Sequence, residues 1–290
     1  MSSIPEIRRR IKAVEDTRKI TRAMYLISSA KMQKALKMHE RNLPYFERVQ
    51  SDMKYIVENT DAELHNKYFR QTCCKRAVYL VIAADKGLCG AYNADVLKLA
   101  DHQIAQGCHE QVFVFTIGLM ASLHFQRRGI DPDVHYVHIA QDPSLTACRQ
   151  VALELCDMYE QDMFDEAYII FTNMKSSRVI KPEVLRLLPV LPEDFVEVES
   201  FHESTGELEF HPSEGDVLNA LVPQHLIGLV YSACVQSYAS EQSARMLAMD
   251  ASTRNADEML DKLKMERNRA RQAAITQELT EITSGASAIG

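Results

Sequence analysis

From Glu6 to Asn42 the chain has neither proline nor glycine, and its apolar residues recur in steps of three and four. Ile4, Ile7, Ile11 and Val14 begin the stripe. It resumes at Met24 and Ile27, with Met32, Ala35 and Met38 beyond. This spacing places apolar side chains on one face of a helix for many turns. Pro5 suits the first helical position, where a missing N–H costs nothing. Pro44 removes an internal hydrogen bond and crowds the preceding turn, so a kink or an end is predicted there. The first rod is about 55 Å long, and more if it resumes after Pro44.

The other end repeats the pattern over a greater length. No proline follows Pro223, and Gly228 is the sole glycine between there and Gly285. Met246, Met249, Thr253, Ala256, Leu260, Leu263, Arg267, Ala270 and Ala274 alternate steps of three and four, which is a heptad seam. A helix over roughly 216–284 would be about 100 Å long, more than the width of any domain this chain could build. Much of it is expected to stand outside the globular part. Propensity alone stabilises a single exposed helix poorly, so the N-terminal rod is its expected antiparallel partner. The seam is rich in Ala, Ser and Thr, which favours close approach but buries little apolar area per turn. The pattern also fits two helices of an ordinary bundle.

Between the rods the period changes. Residues 77–83, 112–117, 134–139 and 167–172 are short apolar runs suited to buried strands, and 184–191 adds a further candidate. Segments near 92–105, 119–128 and 144–161 read as helices between them. Residues 196–211 read as a polar hairpin or arm turning at Thr205-Gly206. Alternating strands and helices imply a mostly parallel sheet with covering helices. The predicted fold class is α/β plus coiled coil. Long antiparallel N- and C-terminal helices (1–60 and 213–290) flank a central Rossmann-like, mostly parallel α/β domain (75–212).

Composition changes this picture little, but the distribution of charge adds to it. The 290 residues carry a net charge of -7, which argues against a general nucleic-acid binder. Residues 1–40 hold ten Lys or Arg against four Asp or Glu, whereas 193–216 hold nine acidic residues and no Lys or Arg. Basic and acidic segments on one chain fit different charged partners, or two solvated faces. No stretch of 18 uncharged apolar residues occurs, so a transmembrane helix is not expected. The N-terminus reads as neither a secretory nor a transit segment. Seven scattered cysteines (73, 74, 89, 108, 148, 156 and 234) show no CxxC spacing and read as free thiols. Adjacent Cys73 and Cys74 are redox candidates only.

A search for chemistry in the middle domain ends without an active site. Asp85-Lys-Gly-Leu-Cys-Gly90 has glycines where a strand turns into a helix, as phosphate loops do. It lacks GxGxxG, and no GxxxxGK[ST] is present. The bland reading is that the glycines allow a tight turn and close helix packing. Cys89 has no histidine at a supporting spacing. Glu197 and Glu199 alternate on a segment that reads as solvent-facing, without the burial that separates catalytic pKa values.

Three blocks carry a resemblance. They are Ile7-Arg-Arg-Arg-Ile-Lys12 with Thr17-Arg-Lys-Ile-Thr-Arg-Ala-Met24 and Ser29-Ala-Lys-Met32; Asp85-Lys-Gly-Leu-Cys-Gly-Ala-Tyr-Asn93; and Ala239 to Met249 with Asn268 to Ile282. In order and placement they resemble the gamma subunit of F-type ATP synthases over the whole chain. The resemblance implies a non-catalytic rotor shaft with no cofactor. Its paired helices would turn inside a hexamer of alpha and beta subunits. Its central domain would meet the epsilon subunit and the membrane c-ring. Ion flow would thereby be coupled to ATP chemistry on beta.

By position, Met24, Arg271 and Gln272 match family residues that contact beta, and Arg8, Arg9 and Lys19 supply cations on the same flank. Thr276 and Glu278 match residues facing the Met24 region across the coil. Phe210 and His211 correspond to the foot on the c-ring and epsilon side, although family members often carry an acidic residue where His211 stands. The uncharged tip from Thr283 to Gly290 suits an end that turns in a sleeve. No cysteine-bearing insertion of the chloroplast kind is present. The implied location is the cytoplasmic face of a bacterial cell membrane, as a peripheral protein. Two other classes compete: a basic coiled-coil nucleic-acid binder using residues 8–37, and an enzyme centred on 85–93.

Overall fold

The computed structural model describes residues 4–61, 66–70, 75–176, 179–199, 201 and 210–289. The Thr205-Gly206 turn and the Cys73-Cys74 pair lie outside the described residues, as do the side chains of 284–290 in the tip. Ten main elements follow in order: α1 (Ile4–Asn59), β1 (Arg76–Ile82), α2 (Tyr92–Gln106), β2 (Gln111–Ile117), α3 (Leu119–Arg127), β3 (Val134–Tyr136), α4 (Leu145–Glu160), β4 (Glu166–Ser176), β5 (Val179–Leu188) and α5 (Glu214–Ile289). The chain divides into two compact units: Met1–Ser28 with Arg245–Gly290, and Ser29–Ala244.

The larger unit is built on a five-stranded sheet of order β3-β2-β1-β4-β5. The first four strands are parallel and β5 is antiparallel to β4. Strand side chains alternate between faces, and β1 shows it residue by residue. Val78, Leu80 and Ile82 enter one core with Phe115, Ile117, Ile169 and Phe171; Ala77, Tyr79 and Val81 enter the other with Val114 and Ile170. The second face is covered by Val96, Leu97 and Ala100 of α2 and by Ala121 and Phe125 of α3. The first is covered by α4 together with Val49, Met53 and Ile56 of α1 and Leu218 to Ala239 of α5. By length and composition α5 contains a stretch apolar enough to cross a membrane, and more than half of that stretch is buried within the protein.

α1 runs on through Pro44 to Asn59, within the 1–60 expected for the first rod, whereas some strand boundaries differ from those the pattern predicts. Pro44 is solvent-exposed, so the carbonyl it orphans can bond water. Burial of Val49, Met53 and Ile56 beyond it holds the helix. β3 ends at Tyr136, and His138 then adopts φ +68°. β5 starts earlier than expected and contains Pro182, which an edge strand tolerates because one side of its ladder is unpaired.

In the terminal unit the first stretch of α1 lies antiparallel to the second half of α5. Ile7 and Ile11 form a buried cluster with Leu260 and Leu263, flanked by Val14 and Ala270. Further along, Thr21 meets Thr253 and Arg18 meets Asp257. Met249, Ala256, Leu260 and Leu263 of the predicted seam are buried. On α1 the seam passes through Thr21, not Ile27, which is 56% exposed. The reason is heptad phase. Residues 7, 14 and 21 recur every seven, and 27 falls outside that row.

Candidate functional site: the helix pair and the closed sheet crevice

In open α/β sheets the usual ligand site lies beyond the carboxyl ends of the strands, where the strand order reverses. Here the carboxyl ends of the strands are covered by α5. Ile82, Ala83, Ile117 and Ile139 close against Cys234, Ser237, Tyr238 and Glu241 of α5, with no space for even a water. Two hydroxyls dock the helix to the sheet. The amide of Thr172 donates to Ser237 Oγ at 3.2 Å, and Ser240 Oγ donates to the Thr172 carbonyl at 3.1 Å. The sequence offered a signal for this only in the spacing of Ser237 and Ser240, one helical turn apart.

The glycine loop after β1 faces inward by the same logic. Asn93 Oδ1 accepts from the Ala84 amide at 2.9 Å, and its Nδ2 donates to Cys89 Sγ at 3.3 Å. Asp85 Oδ1 accepts from the Leu119 amide at 2.8 Å. Ala84, Cys89 and Tyr92 pack on Ala244 of α5. The Tyr92 phenol is fully buried, which pushes its pKa well above the ordinary range. Gly118 holds φ +95°, and a Cβ there would sit 2.0 Å from the Ala83 carbonyl oxygen. The polar groups tie the loop to the sheet and to α3, and Gly118 is required by close packing, whereas a Cβ at Gly87 or Gly90 would meet nothing, and Gly90 serves the turn through its φ of +58°.

The terminal unit carries most of the other candidate residues. Arg8, Arg9 and Lys19 are exposed on α1, and Met24 is half-buried beside the seam. Arg271, Gln272, Thr276 and Glu278 are exposed on α5. The register does not bring Thr276 and Glu278 to Met24. Thr253 lies opposite Thr21, so Thr276 stands about 35 Å further along α5 at the usual helical rise. The block match places all three in one neighbourhood. The antiparallel register instead puts residues near 250 beside Met24, and this corrects the expected pairing.

In the larger unit, the Phe210 ring lies 6.3 Å from that of Tyr55, and His211 is exposed just before Pro212. The described start of the acidic segment is tied to α1. Lys54 Nζ donates to the Val198 carbonyl at 2.9 Å, and Ser51 Oγ accepts from the Phe201 amide at 2.8 Å.

The family model described as ATP synthase matches residues 3–289. The ATP synthase gamma chain of Caldanaerobacter subterraneus subsp. tengcongensis is 40% identical over 294 residues, covering 97% of this chain and 98% of that one. The ATP synthase gamma chain of Acetivibrio thermocellus is 38% identical over 297 residues, covering 100% of both. The chain belongs to the gamma-chain family of ATP synthases.

A gamma chain is the rotor shaft of the synthase, with ATP chemistry on the beta subunits, and that non-catalytic role is the role of this chain. The gamma fold extends to distant structures. A chain of the Euglena gracilis mitochondrial ATP synthase, solved with OSCP, F1 and c-ring, superposes with a TM-score of 0.67. The match covers 99% of this chain and 94% of that one, at 17% identity. A chain of the Tetrahymena thermophila central stalk and c-ring gives 0.60, at 20% identity, covering 80% and 98%. For a gamma chain, a sheet crevice closed by the shaft helix itself makes physical sense. It makes α5 an integral part of the α/β core.

Proposed function

We propose that the terminal helix pair is the part of the shaft that turns inside the alpha–beta hexamer, and that it touches beta through Met24, Arg271 and Gln272. The observation that carries this reading is the register. Ile7 and Ile11 face Leu260 and Leu263, so residues beyond about 270 pass the start of α1. Ile275, Leu279 and Ile282 there are 47%, 59% and 69% exposed. Apolar residues in a row on an exposed helix call for a surrounding partner. Uncharged contacts of this kind lack direction and do not lock one angle.

The exposed cations Arg8, Arg9 and Lys19 supply the second kind of contact, toward acidic loops of beta. Exposed ion pairs contribute about 1 kcal/mol or less each. Contacts that weak break and re-form as the shaft turns. Phe210 and His211 form the foot toward the c-ring and the epsilon subunit. The complex sits peripherally on the cytoplasmic face of a bacterial membrane and couples ion transport to ATP synthesis.

Met24→Lys in the assembled synthase tests the beta contact. Met24 is half-buried at the seam edge, so a lysine stem can lie along it with the ammonium in water, and assembly should survive. A new strong ion pair with beta should lower ion pumping per ATP hydrolysed. An unchanged ratio would remove Met24 from the contact.

A further inference from the structure

The two helices of the terminal unit meet at one level through Ile7, Ile11, Leu260 and Leu263, with Ala270 beside them. That level is heavily cationic. Residues 6–12 and 261–271 together hold nine Lys or Arg against three Asp or Glu, in a chain whose net charge is -7. All of these cations except half-buried Arg267 are exposed. Two are paired: Arg10 with Glu6 at 3.1 Å, and Lys264 with Asp261 at 4.0 Å. Among the described residues, Arg8, Arg9, Lys12, Lys262 and Arg269 have no ion partner. Further along the pair the charges are matched again, with Arg18 on Asp257 at 2.9 Å and Lys19 on Asp16 at 3.4 Å.

The excess cations surround the pair. An α-helix advances about 100° per residue. Arg8 and Arg10 therefore flank the row of Ile7 and Ile11 on opposite sides, and Arg9 points directly away from it. On α5, Lys262 and Lys264 lie on opposite flanks of the row of Leu260 and Leu263, with Arg269 toward the back. Positive charge thus faces outward on every side, as a collar and not a stripe.

Screening limits how far each charge reaches. The Debye length is about 8 Å at physiological salt, and two paired helices are about 20 Å across. A carboxylate beside the collar therefore feels only the cations on its own side. Because each side carries them, the attraction persists through a full turn and changes little with angle.

Resting on the reading that this pair turns inside the alpha–beta hexamer, we propose that the collar binds carboxylate-bearing loops of the hexamer, and that it draws the shaft in and centres it without selecting an angle. Angle selection falls to directional contacts such as those of Met24 and Gln272. The two helices contribute to the collar jointly, so no single cation is indispensable.

Stopped-flow association of the purified full chain with the alpha–beta hexamer, across a range of salt, tests this. The triple change Lys12→Gln, Lys262→Gln, Arg269→Gln should slow entry about ten-fold at low salt and flatten its salt dependence. A matched triple on the larger unit, Lys98→Gln, Arg149→Gln, Lys181→Gln, removes the same charge from exposed positions and should leave entry unchanged. Each collar change alone should slow entry by a similar factor of about two. Salt-independent entry, equal slowing by the two triples, one residue carrying the whole loss, or tighter binding to duplex DNA than to the hexamer would overturn the collar. Any of these in a complex whose shaft still turns with ATP would leave the shaft reading standing. A chain that does not enter the hexamer at all would remove both.

Discussion

Thr21 and Thr253 share a hydrogen bond across the helix pair, with 2.8 Å between their Oγ1 atoms. Thr253 lies within reach of the Met249 carbonyl at 2.8 Å, and Thr21 of the Arg18 carbonyl at 3.1 Å. The seam thus uses hydroxyls where a leucine zipper would use methyls. Thr21→Val alone removes the bond between the two hydroxyls, while Thr253 keeps the Met249 carbonyl, and should cost about 1 kcal/mol. The double change Thr21→Val, Thr253→Val should cost less than the sum of the singles, because the shared hydrogen bond is lost only once. A double-mutant cycle by denaturant unfolding of the full chain checks this. Additive costs would show that the two hydroxyls act separately.

Gly118 turns the chain from β2 into α3 beneath the Ala83 carbonyl. A Cβ at 2.0 Å from that oxygen, at φ +95°, has no relaxed alternative. Gly118→Ala should therefore destabilise the larger unit by more than about 2 kcal/mol. Gly87→Ala in the loop after β1 serves as the control, since a Cβ there meets nothing within 4 Å. Thermal unfolding of the two variants should separate them clearly. Equal midpoints would mean the β2–α3 turn is more plastic than its geometry shows.

His225 is buried against Phe195, with ring centroids 5.7 Å apart. Desolvation pushes its pKa down to about 4, against a small opposing pull from Asp194. The unfolded chain takes up this proton near pH 6.5 and the folded chain only near pH 4. Stability is therefore complete above pH 6.5 and is lost as pH falls from 6.5 to 4. At pH 5 the loss from this residue is about 2 kcal/mol relative to pH 7. Unfolding of wild type and His225→Leu at the two pH values should show the variant losing less stability by that amount. Parallel losses would place the acid sensitivity elsewhere.

How much of this was legible in the sequence depended on whether the deciding force was local. The strands and helices of the α/β unit follow from side-chain periodicity, as in β1, where alternate residues feed opposite cores. The α5 seam was legible for the same reason. Pro44 left the end of the first rod open between a stop there and a run to about 60; burial of Val49, Met53 and Ile56 beyond it decides for the longer helix, and no local window reveals that burial. Ile27 misled because hydrophobicity outweighed phase. The docking of Ser237 and Ser240 on Thr172 joins residues about 65 apart, and the one-turn spacing of the two serines names no partner for them. The expected approach of Thr276 to Met24 failed because a block match conveys order along the chain but no register between helices.

The central claim is that this chain turns within its complex as ATP is consumed. Cys108 is exposed on the larger unit and can carry a bulky optical label, with Cys73 and Cys74 replaced by serine to direct the label. With the alpha–beta hexamer fixed to a surface, ATP should drive continuous rotation of that label in one direction, and Leu263→Pro should abolish it by breaking α5. A label that stays at one angle while the complex hydrolyses ATP at its normal rate would contradict the account.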